Sequence, residues 1–169
     1  KETKIKNIQV HNINALEANI SNRAALNLQG VNISHINKGD LITKKGHIRG
    51  FDGIDISFKC LKGEKLNHNQ TYSLFIGAKK IEVKVLLFDC ITNIEEGFAT
   101  IKANENLYTI FGEKILLRNA NDTICGGIVL NPIIDPMKKN QKRNLLEALN
   151  KKDFTNAYKE LLEAHKKGL

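Results

Sequence analysis

The chain has 169 residues and a formal net charge of +8, with 41% hydrophobic residues, enough for a packed core in one ordinary domain or two small ones. The charge points to an acidic partner, nucleic acid first, although a chain so rich in Lys, Asn and Ile also matches the bias of AT-rich coding sequence. No run approaches the ~18 consecutive apolar residues of a membrane helix, and "KETKIKNIQV" lacks the apolar centre of a signal peptide, so a cytoplasmic protein with no membrane partner is expected. A chain that begins at Lys1 reads as a segment of a longer one.

Residues 1 to about 131 read as β structure. "IKNIQVH" is rich in β-branched residues. "ISNRAALNL" alternates, with Ala24, Leu26 and Leu28 on one face and Arg23, Ala25 and Asn27 on the other. A polar helical turn follows Gly30, and "DLIT" reads as a short strand after the turn "NKGD". Then come "GIDISFKCL", "YSLFIGAKKIEVKVLLFD", "GFATIKA", "EKILLRNA" and "GGIVLNP". Lys62-Gly63, Glu96-Gly97, Gly112 and Asn121-Asp122 punctuate them as turns. Many short strands separated in this way predict a barrel or sandwich. In "TICGGIVLNP" the absence of Cβ at Gly126 and Gly127 allows a neighbouring strand close, or an unusual φ. Pro132, with no N–H to give, ends the sheet.

The pattern changes after Pro132. "NPIIDPMKKNQKR" reads as a basic linker in which Lys138, Lys139, Lys142 and Arg143 form a solvated hinge. "NLLEALNKKDFTNAYKELLEAHKKGL" has helical spacing. Leu145, Leu146 and Leu149 make one apolar stripe; Phe154, Tyr158, Leu161, Leu162 and His165 make another. Asp153 or Thr155 caps the second helix, and Gly168 suits its end. Two helices this short must dock on the β part or open a further domain.

No catalytic constellation emerges. Cys60, Cys90 and Cys125 are odd in number and far apart, with no C-x-x-C; Cys90 and Cys125 read as small buried hydrophobes. The five histidines lack ligand spacing, so no metal is expected. There is no G-x-x-x-x-G-K-[ST] phosphate loop. "NKKD" at 150–153 matches a guanine-reading pattern, but on a predicted helix it is a coincidence of composition.

Two stretches resemble a known family. "RAALNLQGVNISHINKGDLITKKG", residues 23–46, resembles the second, β-barrel domain of translational GTPases, where "ALNL-x-G-V … I-x-x-G-D-x-L" recurs. "LLRNANDTICGGIVLNP" resembles the close of the third domain in SelB-type factors, the selenocysteine-specific elongation factors. Cys125 stands there for a glycine and Asn131 for an aspartate. The "LEAL … D … A … LL" stretch that follows also resembles that family.

The resemblance implies a mainly β fold of translational-GTPase-type β-barrels, the first truncated, with a short C-terminal helical segment. Residues 1–46 would be part of domain two, 47–131 domain three, and 132–169 a linker and helices opening a winged-helix domain. It implies binding of selenocysteyl-tRNA and delivery to the ribosome, with GTP and Mg in a nucleotide domain outside this chain. An mRNA hairpin would bind C-terminal domains also outside it. This segment would carry no cofactor and no enzymatic activity. By resemblance Arg23 belongs to the aminoacyl pocket that meets the selenol anion, and Lys79, Lys80, Arg118 and Asn119 to the tRNA contact. Another translational GTPase, or a β-barrel protein-interaction module, is the alternative. The open edges of a truncated barrel predict that residues 1–46 pair with another chain or are covered by the C-terminal helices.

Overall fold

The computed structural model describes residues 2–88, 94–120 and 122–165. The chain divides into two units between Asp40 and Leu41.

The first unit is an antiparallel sheet of β1 (Lys4–Val10), β2 (Ile13–Ala15) and β3 (Ala24–Gln29), in the order β2-β1-β3. The β1–β2 turn is formed by His11 and Asn12, both at positive φ (52° and 64°). That is the backbone a two-residue hairpin requires, and here it is built without glycine. β3 alternates as expected: Ala24, Leu26 and Leu28 are half-buried, while Ala25, Asn27 and Gln29 are exposed. None of the described residues of this sheet is fully buried. A 3-10 turn, Ile33–His35, follows Gly30, and the Asn32 side chain accepts a hydrogen bond from the Ser34 N–H. "DLIT" is not a strand. Its first residue, Asp40, accepts from the Asn37 N–H at 2.8 Å and closes a polar loop there instead.

The second unit is a closed barrel of β4 (Gly50–Cys60), β5 (Gln70–Ile76), β6 (Lys79–Leu87), β7 (Glu96–Tyr108), β8 (Lys114–Arg118) and β9 (Thr123–Asn131). Strand order is β4-β7-β6-β5-β8-β9, with β9 returning to β4. Alternate residues point inward and fill the interior: Ile54 and Ile56 of β4, Leu74 of β5, Val83 and Val85 of β6, Ile101 of β7, Leu117 of β8 and Val129 of β9. The run "YSLFIGAKKIEVKVLLFD" is two strands turning at Gly77-Ala78, with Gly77 at φ 53°. Glu96-Gly97, expected as a turn, lies inside β7. Asn121 lies outside the described residues, as do Cys90 and Gly168.

The two glycines of "TICGGIVLNP" differ. A Cβ on Gly127 would sit 2.5 Å from the Ser57 carbonyl oxygen and 3.2 Å from Ile115 Cγ1, so close approach of β4 and β8 requires glycine. A Cβ on Gly126 would meet nothing nearer than 3.9 Å. Cys125 is buried as expected, but its reading as a mere small hydrophobe is corrected: Cys60 and Cys125 form a disulfide. Antiparallel register places them directly opposite each other at one end of the β4–β9 ladder, 65 residues apart in sequence, a proximity that no spacing rule discloses.

Two helices follow, α1 (Lys139–Asn150) and α2 (Phe154–Ala164). Leu145, Leu146 and Ala148 of α1 are buried. Leu146 packs with Phe88 and Leu130 of the barrel. Asp153 caps α2 by accepting from the Asn156 N–H at 3.1 Å. The stripe of α2 is rotated from the expected one: Ala157 is buried and Leu161 half-buried, whereas Phe154, Tyr158 and Leu162 are exposed. "NKKD" is the α1–α2 turn, with Lys152 at φ 58°.

Candidate nucleic-acid interface

The outward positions of the β8–β5–β6 ladders form a basic face around one aromatic ring. Phe75 of β5 pairs across with Lys80 of β6 and with Leu116 of β8. Ser73, two residues back on the same face, pairs with Arg118. Lys80 Nζ lies 5.7 Å from the Phe75 ring centroid, and the Arg118 guanidinium carbon lies 5.6 Å from it. Each distance is within the reach of a cation–π attraction. The ring therefore anchors two cations of different geometry, a forked guanidinium and a compact ammonium. That pair suits an oxyanion-rich ligand such as phosphate.

The structure places the other expected residues differently. Lys79 forms an ion pair with Glu105 at 2.5 Å across the barrel end. Asn119 shapes its own turn: its Oδ1 accepts from the Asp122 N–H at 2.7 Å, while its N–H donates to the Asp122 carbonyl at 3.0 Å. That turn sets where the end of β8, and so Arg118, stands. Lys80 and Arg118 meet over one ring; Lys79 and Asn119 serve the flanking ends. Arg23 is exposed and lies one residue before β3 in the first unit.

The same face continues across β6 and β7. Thr71 of β5 is opposite Lys84 of β6, and Lys84 is opposite Lys102 of β7. Glu82 of β6 lies opposite Ser73. Lys102 was absent from the sequence-based set, although its outward parity in "GFATIKA" was available as a clue.

A second polar cluster lies beneath α1. Asp55 of β4 is fully buried although its position faces outward from the barrel. Lys142 Nζ of α1 lies 2.8 Å from Asp55 Oδ1, and Thr100 Oγ1 donates to the same oxygen at 2.6 Å. Asn131 Nδ2 donates to Oδ2 at 3.3 Å. Lys142 also lies 5.6 Å from the Phe88 ring centroid. Burial raises the Asp55 carboxyl above its ordinary range, while Lys142, Thr100 and Asn131 pull the other way. The reading of Lys142 as part of a solvated linker is thus corrected. Helix α1 begins at Lys139, and the aliphatic stem of Lys142 carries its ammonium to a carboxylate that would otherwise be buried without a counter-charge.

Among the described residues no three His, Cys, Asp or Glu side chains converge as metal ligands. Two surface depressions, of about 370 and 500 Å³, have neither histidine nor cysteine in their walls. None of the described helices is long and apolar enough to cross a membrane.

No protein-family model matches the chain. It is 21% identical over 146 residues to a selenocysteine-specific elongation factor of Desulfomicrobium baculatum, covering 83% of this chain and 23% of that protein. Its fold is similar to the crystal structure of a bacterial selenocysteine-specific elongation factor, EF-Sec, with a TM-score of 0.78 and 21% identity. That similarity covers 94% of this chain and 26% of the other. The chain therefore spans about a quarter of the length of either protein. Mainly β, with a closed six-stranded barrel and a short C-terminal helical segment, it resembles the selenocysteine-specific elongation factors over most of its length.

Proposed function

We propose that this chain is the tRNA-gripping segment of a selenocysteine-specific elongation factor. The whole protein would deliver selenocysteyl-tRNA to the ribosome in the cytoplasm. GTP and its Mg would be held by a nucleotide domain outside this chain, and an mRNA hairpin by winged-helix domains that α1 and α2 open. The segment itself would bind and position rather than catalyse.

The observation that carries this reading is the outer face on which Phe75 anchors Lys80 and Arg118. Contacts of this kind go to phosphate and ribose and fix register without reading sequence. Lys79 and Asn119 would contribute at its margins, Lys79 once its bond to Glu105 yields and Asn119 by shaping the turn. Arg23 would supply a fixed positive charge beside an aminoacyl group bearing an anionic selenol.

Fluorescence anisotropy with a tRNA acceptor-arm hairpin tests the reading. Binding should be measurable at 50 mM salt and strongly reduced at 300 mM, because phosphate neutralisation releases counterions. Lys80→Glu and Arg118→Glu should each weaken it at least tenfold. Equal, negligible binding at both salt concentrations would remove the direct RNA role. RNA-independent capture of one specific protein would favour an interaction module instead.

A further inference from the structure

Strand β7 carries both matched and opposed charges: Glu105 pairs with Lys79 of β6, but not every cross-strand position is matched. Toward β4, Glu96 stands opposite Lys59, and the two form an ion pair at 3.2 Å. Toward β6, Lys102 stands opposite another lysine, Lys84. Both lysines are exposed, and among the described residues neither has a carboxylate within ion-pair distance. Like charges directly opposed on antiparallel strands, about 5 Å apart at Cβ, repel and weaken the pairing. Glu82, on the same face two residues from Lys84, also makes no ion pair among the described residues. The β6–β7 ladder thus pairs Lys79 with Glu105 at one end and opposes Lys84 to Lys102 further along.

We propose that Lys84 and Lys102 are a second phosphate site, seating one phosphodiester group between their ammoniums. This rests on the RNA-binding reading and extends it. The site continues the Phe75 cluster along one face: Arg118 on β8, Phe75 on β5, Lys80 and Lys84 on β6, Lys102 on β7. Thr71, opposite Lys84, adds a hydroxyl donor to the row. Two ammoniums are point charges with freely turning donors, so the ligand is the backbone of the RNA and not a base. The bound phosphate relieves the repulsion that the free protein tolerates.

The test uses the full chain with Lys84→Gln, Lys102→Gln, the double variant, and Lys80→Gln/Arg118→Gln as reference. The probes are a fluorescein-labelled acceptor-arm hairpin and, separately, polyglutamate, each titrated between 50 and 300 mM salt. The double change should lower the slope of log K against log salt by about 1, the count for the one phosphate the pair seats, and each single change by part of that. The thermal midpoint of the free protein should hold or rise, because the repulsion has gone. A fall in the midpoint would mean that the lysines serve the fold and would overturn the proposal. It would also be overturned if the double variant bound RNA like wild type while the reference pair weakened, leaving the broader reading intact. Wild-type chain that fails to bind the hairpin sinks both. Lysine-dependent capture of polyglutamate tighter than of RNA would assign the site to an acidic protein.

Discussion

Strands β3 and β5 have the same alternation and different fates. In β3, Ala24, Leu26 and Leu28 share one face and remain half-buried. In β5, Tyr72, Leu74 and Ile76 share one face and are buried, Leu74 completely. Periodicity says which residues share a face; it does not say whether anything covers that face. β5 belongs to a six-stranded ring whose last strand returns to its first, so its inner face meets five other strands. β3 is the edge of a three-stranded sheet. Closure of the ring, a property of the whole chain and not of any window, converts an apolar stripe into a core.

The closing seam makes the point most sharply. The β4–β9 ladder runs from Cys60↔Cys125 at one end to Asp55↔Asn131 at the other. A disulfide fastens the first end and the Lys142-anchored cluster the second. Breaking that second fastening should be the most damaging change. Lys142→Met removes one partner of a buried ion pair, which costs about 3–5 kcal/mol. With the ammonium gone, burial raises the Asp55 pKa further. A carboxyl whose folded pKa lies above its unfolded value stabilises the fold when protonated, and that contribution is lost as pH rises through the folded pKa. The deficit of Lys142→Met should therefore be largest near neutral pH and shrink toward acid. Denaturant melts across pH, with Asp55→Asn/Lys142→Met as a pH-insensitive control, check both parts.

The comparison of stripes predicts the next effect. Leu74→Ala should cost about 2–5 kcal/mol as a buried large-to-small change. Leu26→Ala in the open sheet should cost far less, near the range of about 0.5 kcal/mol typical of surface positions. Chemical denaturation of the two variants measures the difference directly, and similar losses would mean that the sheet's apolar face is covered after all. The two glycines of β9 give a smaller contrast. Gly127→Ala forces a methyl against the Ser57 carbonyl and should cost about 1–3 kcal/mol. Gly126→Ala has room, and its thermal midpoint should stay close to that of wild type.

Much of the β framework was legible because glycine turns and β-branched alternation are local. The turn at His11-Asn12 was not, since neither residue advertises positive φ as glycine does. "DLIT" misled because strand propensity without a pairing partner does not make a strand. In α2 the expected stripe rested on large apolar residues and passed over Ala157, yet Ala157, with Leu161, is what packs against α1. The buried Asp55 was illegible for a deeper reason. In "GIDISF" its position faces outward, and outward normally means solvent; only helix α1, more than 80 residues later, makes that face interior. Lys80 and Arg118 could be named from the sequence, but the shared ring of Phe75 that brings them together depends on strand register.

Amide-resolved NMR of the chain titrated with an acceptor-arm RNA hairpin tests the central claim most directly. Shifts should concentrate on outward residues of the basic face, Thr71, Ser73, Phe75, Lys80, Lys84, Lys102, Leu116 and Arg118, and fade together as salt is raised. Shifts confined to α2, or a spectrum that RNA leaves unchanged at low salt, would contradict it.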